Sequence, residues 1–124
     1  MNPQLPEDLS NLSMLELFRA EAENQTATLT TGLLELERGN SSAQLFESLM
    51  RAAHSLKGAA RIVNLQAAVR VAHALEDCFV AAQHGRLSLH RPQVDALLQG
   101  VDLLGHLAKG TEISITSWET DRAA

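Results

Sequence analysis

The chain has 124 residues, enough for one domain with a modest core, and its 45% hydrophobic and 20% charged residues are the balance of a folded globular protein. Leu and Ala fill 39 positions, against 9 for Val and Ile and 4 for aromatics, which favours helices and argues against a β-sandwich or barrel. Fifteen acids against ten bases give a net charge of -5, which speaks against a nucleic-acid grip.

A first helix is predicted from Leu12 to Arg38. Ser13-Met14-Leu15-Glu16 spells a capping box at its start and Gly39 marks its end. Leu15, Phe18, Ala22, Leu29, Leu33 and Leu36 recur at helical spacing, with Glu23-Asn24-Gln25-Thr26 as a weaker, polar middle. A second helix follows Asn40-Ser41-Ser42, with Ser41 and Gln44 as its box, and extends to Val63. Asn64 is suited to a left-handed break. The third helix covers Leu65 to His84 and is closed by Gly85. The fourth begins near Pro92, favourable in a first turn, and reaches Lys109 before Gly110. Thr111 to Trp118 has no helical period and reads as tail or linker.

Short connections between long helices force antiparallel neighbours, so the expected fold is all-α: an up-down antiparallel four-helix bundle, compatible with a short extra terminal element. The expected organisation is a flexible N-terminal lead over 1–11, a bundle over 12–109 and a C-terminal tail or linker over 110–124. Cys78 lies in an apolar stretch and reads as a small buried thiol rather than a redox centre. No run approaches the ~18 apolar residues that span a bilayer, and Met1 to Asp8 lacks the features of a secretion signal. No membrane insertion is expected, and the cytoplasm is the expected compartment.

The second helix is the most informative. With His54 taken as zero and about 100° per residue, Leu45, Leu49, Ala52, Leu56 and Val63 fall within roughly 40° of the opposite pole. These form the core stripe. Around His54 lie Glu47, Met50, Arg51, Lys57, Gly58 and Arg61, so the imidazole faces solvent among three cations and a glycine. A mid-helix Gly costs roughly 1 kcal/mol relative to Ala. Gly58 therefore calls for a reason, either open access to the ring one turn away or a close helix crossing or bend. A neutral imidazole nitrogen is a competent nucleophile, and Lys57 would set an ammonium beside a phosphoryl group brought to it. A solvated basic stripe with an incidental His is the alternative.

On the third helix, Glu76 shares its face with Val69, Ala72, Phe79 and Val80, so an acid interrupts an apolar stripe. A carboxylate there needs a partner. Accepting from Nδ1–H of His54 would fix the tautomer and leave Nε2 its lone pair. Reaching the rim, or pairing with Arg51 or Lys57, would also satisfy it.

Ala53-His54-Ser55-Leu56-Lys57-Gly58-Ala59-Ala60 resembles the signature of histidine phosphotransfer (HPt) domains, and in particular the N-terminal HPt domain of chemotaxis-type histidine kinases. The resemblance covers about residues 12 to 109. Phe18 to Ala22 is similar to that domain's opening helix and His73-Ala74-Leu75-Glu76-Asp77 to its third. Arg51 to Leu65 and Val69 to Ala82 look especially similar to the hybrid kinases of this family that serve the Wsp surface-sensing pathway. The resemblance implies His54 as phospho-acceptor, Glu76 as the acceptor that orients its ring, Lys57 as the phosphoryl-stabilising cation and His73 as polar support. It implies Gly58 as access for a partner, with Met50, Arg51 and Arg61 as further docking surface. Asn64 departs from the Gly common in relatives, with little expected effect.

The implied partners are a kinase ATP-binding domain, which would deliver the phosphoryl group, and a response-regulator receiver domain, which would take it onto an Asp. The sequence has no Gly-rich phosphate loop and no Asp cluster for Mg²⁺. It is thus expected to be a relay without a cofactor of its own, ATP and Mg²⁺ belonging to the kinase domain, and to be the front module of a multidomain kinase. Two other classes compete. A metal-binding bundle would bring His54, His73 and Glu76 together, but offers only His-x-x-Glu in reversed order and no second pair. A helical adaptor would leave His54, Gly58 and Glu76 without a reason. His84, His90 and His106 read as surface or boundary residues.

Overall fold

The computed structural model describes the backbone of residues 7–123 and the side chains of 13–110. Four helices follow one another: α1 Glu7–Glu37, α2 Ala43–Ile62, α3 Gln66–Gln83 and α4 Arg91–Ala123. Each packs on its neighbours in chain order and α4 returns to α1, while the backbones of the diagonal pairs stay apart among the described residues. The result is an all-α, up-down four-helix bundle.

Three helix ends are set by the same device. Asn64 takes φ 59°, Gly39 φ 88° and Gly85 φ 74°. Each donates its N–H three residues back and the following residue donates five back: Asn64 to Arg61 and Leu65 to Ala60, Gly39 to Leu36 and Asn40 to Glu35, Gly85 to Ala82 and Arg86 to Ala81. This double bond satisfies carbonyls that the helix leaves open. At the start of α2 the cap is Ser42, whose Oγ accepts from Leu45 N–H at 3.1 Å, rather than the expected Ser41. Ser42 already has the extended backbone an N-cap requires, so it takes the role.

Two expected boundaries are corrected. α1 begins at Glu7, so Ser13 lies inside the helix and caps nothing. The expected lead falls partly on residues 1–6, outside those described. α4 continues past Gly110 to Ala123 instead of stopping there. A lone glycine costs only about 1 kcal/mol, and Gly110 lacks the positive φ with which Gly39 and Gly85 end their helices. The side chains of 111–124 lie outside the described residues.

The core is one cluster. Phe18, Ala22, Leu29 and Leu33 of α1 meet Leu49, Ala52 and Leu56 of α2, Ala72, Leu75 and Phe79 of α3, and Val94, Val101 and Leu104 of α4. Burying each large side chain contributes about 1.5–3 kcal/mol. Leu36, Leu45 and Val63, read as core from spacing, are half-buried against this cluster. So is Cys78, where burial, followed by the nearby Asp77 charge, pushes the thiol pKa up. Gly32 lets α1 approach α2: a Cβ there would lie 2.6 Å from Leu49 Cδ2. Among the described residues no helix is long and apolar enough to cross a membrane.

Candidate functional site

His54 is placed by the stripe behind it. Ala52, Ala53 and Leu56 are buried, and the ring is left outward with its side chain 68% exposed. α3 lies alongside α2 with Ala72, Leu75 and Phe79 in the core, which brings Glu76 to the seam between the two helices, 14% exposed.

There Glu76 Oε2 lies 2.5 Å from Nδ1 of His54, and Oε1 accepts from Lys57 Nζ at 2.6 Å. Partial burial alone would raise the carboxyl pKa; hydrogen bonds from Lys57 and His54, and then their charge, bring it below the ordinary value. An ionised carboxylate has no proton to give, so Nδ1–H is the donor. In the neutral ring the lone pair is then on Nε2, which has no hydrogen bond among the described residues. Of the alternatives open in the sequence, Glu76 takes two at once, the imidazole and the lysine.

Lys57 differs from its expected setting. Its side chain is only 12% exposed and its ammonium is committed to Glu76 rather than lying free beside the imidazole. It leans from α2 toward α3, and burial among helices favours a partner. His73 differs more. It is 54% exposed with Nε2 3.6 Å from Asp77 Oδ1, one turn on, and no hydrogen bond joins it to His54 or Glu76. The grouping His54–His73–Glu76 weighed for a metal is replaced by His73, Glu76 and Asp77, whose ligating atoms lie within 4.8 Å of one another; both Glu76 oxygens there already accept from His54 and Lys57.

The surface around the ring is bare on one side. A Cβ at Gly58 would meet nothing within 4 Å, so packing inside the bundle does not require glycine there. Arg51 is exposed and pairs with Glu47 at 2.6 Å; Met50 is half-buried against the core. Arg61 is exposed in the last turn of α2, where a cation suits the helix dipole. Beside it Ile62 is 69% exposed, an apolar residue off the core stripe that helical spacing does not single out. His84, His90 and His106 are exposed, and His90 N–H donates to Gln93 Oε1 at the start of α4.

The family model for the Hpt domain matches residues 13–106. The chain is 30% identical over 97 residues to the chemotaxis protein CheA of Borreliella burgdorferi, covering 78% of this chain and 11% of that protein. It is 33% identical over 92 residues to CheA of Rhizobium meliloti, covering 74% and 12%. It thus spans about an eighth of the length of the curated relatives it matches. Among solved structures, the CheA phosphotransferase domain from Thermotoga maritima superposes with a TM-score of 0.73 at 26% identity, covering 78% of this chain and 92% of that one. A bundle that turns one imidazole outward and braces it with an acid from the next helix, matched over 13–106, belongs to the Hpt domain family.

Proposed function

We propose that the chain is a phosphotransfer relay: it takes a phosphoryl group onto Nε2 of His54 from a kinase ATP-binding domain and passes it to an aspartate of a receiver domain. It is a relay module, not an enzyme on its own. In the first step the Nε2 lone pair attacks the γ-phosphorus of ATP, the bond to the bridging oxygen breaks, and ADP leaves with that electron pair. The ring, still carrying its Nδ1 proton, becomes positive, and the Glu76 carboxylate beside it stabilises that charge. In the second step an aspartate oxygen attacks phosphorus, the N–P bond breaks and the electron pair returns to Nε2.

Glu76 is the ring-orienting group in this reading. Lys57 keeps Glu76 ionised and aimed, and its remaining two N–H donors are available to phosphoryl oxygens. Gly58 gives the partner access. Met50, Arg51 and Arg61 form the rim of the docking surface, and His73, paired with Asp77, adds positive potential when protonated. The observation that carries the reading is the Nδ1–Oε2 contact of 2.5 Å at a ring 68% exposed.

The finer assignments follow from the resemblance. Arg51 to Leu65 and Val69 to Ala82 support the hybrid kinase of the Wsp surface-sensing pathway as the parent. The relay unit would centre on the bundle matched over 13–106, with α4 carrying on beyond it toward further kinase domains in the cytoplasm. The test is incubation with a kinase ATP-binding domain and ATP, comparing wild type with Glu76→Ala. Phosphorylation slowed in a bundle that keeps its helix content supports the reading; an unaltered rate contradicts the role of Glu76.

A further inference from the structure

Resting on the relay reading above, we infer that Ile62 is the apolar anchor on which the receiver domain seats, with Arg61 as its charged neighbour. Of the exposed large hydrophobic residues among those described, Met14, Leu17 and Leu34 lie on α1 and Leu103 on α4; Ile62, 69% exposed, is the one on the helix that carries His54. It stands eight residues beyond the imidazole, about 12 Å along the axis at about 1.5 Å per residue. A partner contributing about 800 Å² to an interface of ordinary size covers a disc of roughly 16 Å radius. A receiver with that footprint centred on His54 reaches Ile62, and Gly58 between them raises no side chain in the way.

The anchor is held ready. Ile62 is the last residue of α2, and the turn after it is fixed by Asn64 N–H to Arg61 O and Leu65 N–H to Ala60 O, both 3.0 Å. A side chain on a fixed helix end loses little freedom when it docks. Its neighbour Arg61 has no ion pair among the described residues, whereas Arg51 is held by Glu47. A free cation beside an apolar knob suits a receiver, because the aspartate that takes the phosphoryl group brings negative charge to this helix. It suits an ATP-binding domain less well, since that domain must surround a triphosphate with cations of its own.

The experiment uses the 124-residue chain as wild type, Ile62→Ser, Arg61→Glu and, as a control on the opposite side, Leu103→Ser. Each is loaded in two ways, with phosphoramidate and with a kinase ATP-binding domain plus ATP. Transfer is then followed to a receiver domain selected because it strips phosphate from the wild type. Ile62→Ser is expected to load normally by both routes and to raise the KM for the receiver about tenfold, with the saturating transfer rate unchanged. Arg61→Glu should act in the same direction, melting slightly lower because it puts an acid at the negative end of the α2 dipole, while Leu103→Ser and Ile62→Ser should melt like wild type and Leu103→Ser should transfer like it. An unchanged KM for Ile62→Ser overturns the inference, and so does kinase loading slowed as much as transfer, which would assign the patch to the ATP-binding domain. Wild type that loads no phosphate on His54, or that no receiver discharges, would instead remove the relay reading itself.

Discussion

His54 and Glu76 meet across the seam of α2 and α3 with Nδ1 and Oε2 2.5 Å apart, the ring 68% exposed and the carboxylate 14% exposed. One nitrogen is bound from behind and the other is presented to solvent. That asymmetry makes an imidazole a directed nucleophile rather than a surface base, because the acceptor decides which nitrogen keeps the proton. The carboxylate is itself held by Lys57 on its other oxygen. The site is thus a chain of three side chains from two helices, rigid at its buried end.

Replacing Glu76 with Gln keeps the shape and removes the charge. Phosphorylation of His54 is expected to slow by about 10- to 100-fold, the usual range for a group that orients a reacting ligand from behind. Lys57, 12% exposed, would lose its ionic partner, so stability should fall by about 1–2 kcal/mol in urea unfolding. A rate equal to wild type would dismiss the orienting role.

The same acid gives the stability a pH dependence of definite sign. Its pKa in the folded chain is lowered from an ordinary 4.5 by Lys57 and His54, against the raising effect of burial. A lowered carboxyl stabilises the fold above the unfolded-state value and loses that contribution as pH falls through the folded one. The stability gap between wild type and Glu76→Gln should therefore close as pH falls below about 5, through the carboxyl's lowered value. A gap that widened as pH fell below about 5 would contradict the assignment.

Lys57 acts through Glu76 if the geometry governs its role. Lys57→Met should slow phosphorylation, and most of that loss should disappear when Glu76 is already Gln, a coupling of about 1 kcal/mol or more in a double-mutant cycle. Fully additive losses would show that the ammonium acts on the phosphoryl group directly.

Two glycines should respond in opposite ways. Gly58→Ala meets open space, so the melting temperature should rise, by up to about 1 kcal/mol of added stability, while transfer to the receiver slows. Gly32→Ala would drive a methyl to 2.6 Å from Leu49 Cδ2 in the core and should cost about 1–3 kcal/mol. Gly58→Ala that leaves transfer untouched would deny the access role.

Much of this was legible in the chain because it rests on local rules. The helix ends at Gly39, Asn64 and Gly85 follow from which residues tolerate positive φ. The outward His54 follows from a stripe of Leu and Ala at the opposite pole, and Glu76 from an acid breaking an apolar face. What escaped depends on neighbours that spacing does not name. Lys57 sits about 60° from His54 on the wheel, toward α3, but only the packed pair shows that its ammonium reaches Glu76 first. His73 turned to Asp77, one turn along its own helix, a choice that the i, i+4 spacing permits but does not require. The continuation of α4 beyond Gly110 escaped because the segment has no apolar period to announce a helix.

The most direct test of the account is phosphoryl incorporation into wild type and His54→Gln by a kinase ATP-binding domain with ATP, followed by acid and alkali treatment. Expected are one phosphate per wild-type chain, labile to acid and stable to alkali, none on His54→Gln, and equal helix content in both. Phosphate that persists on His54→Gln would contradict it.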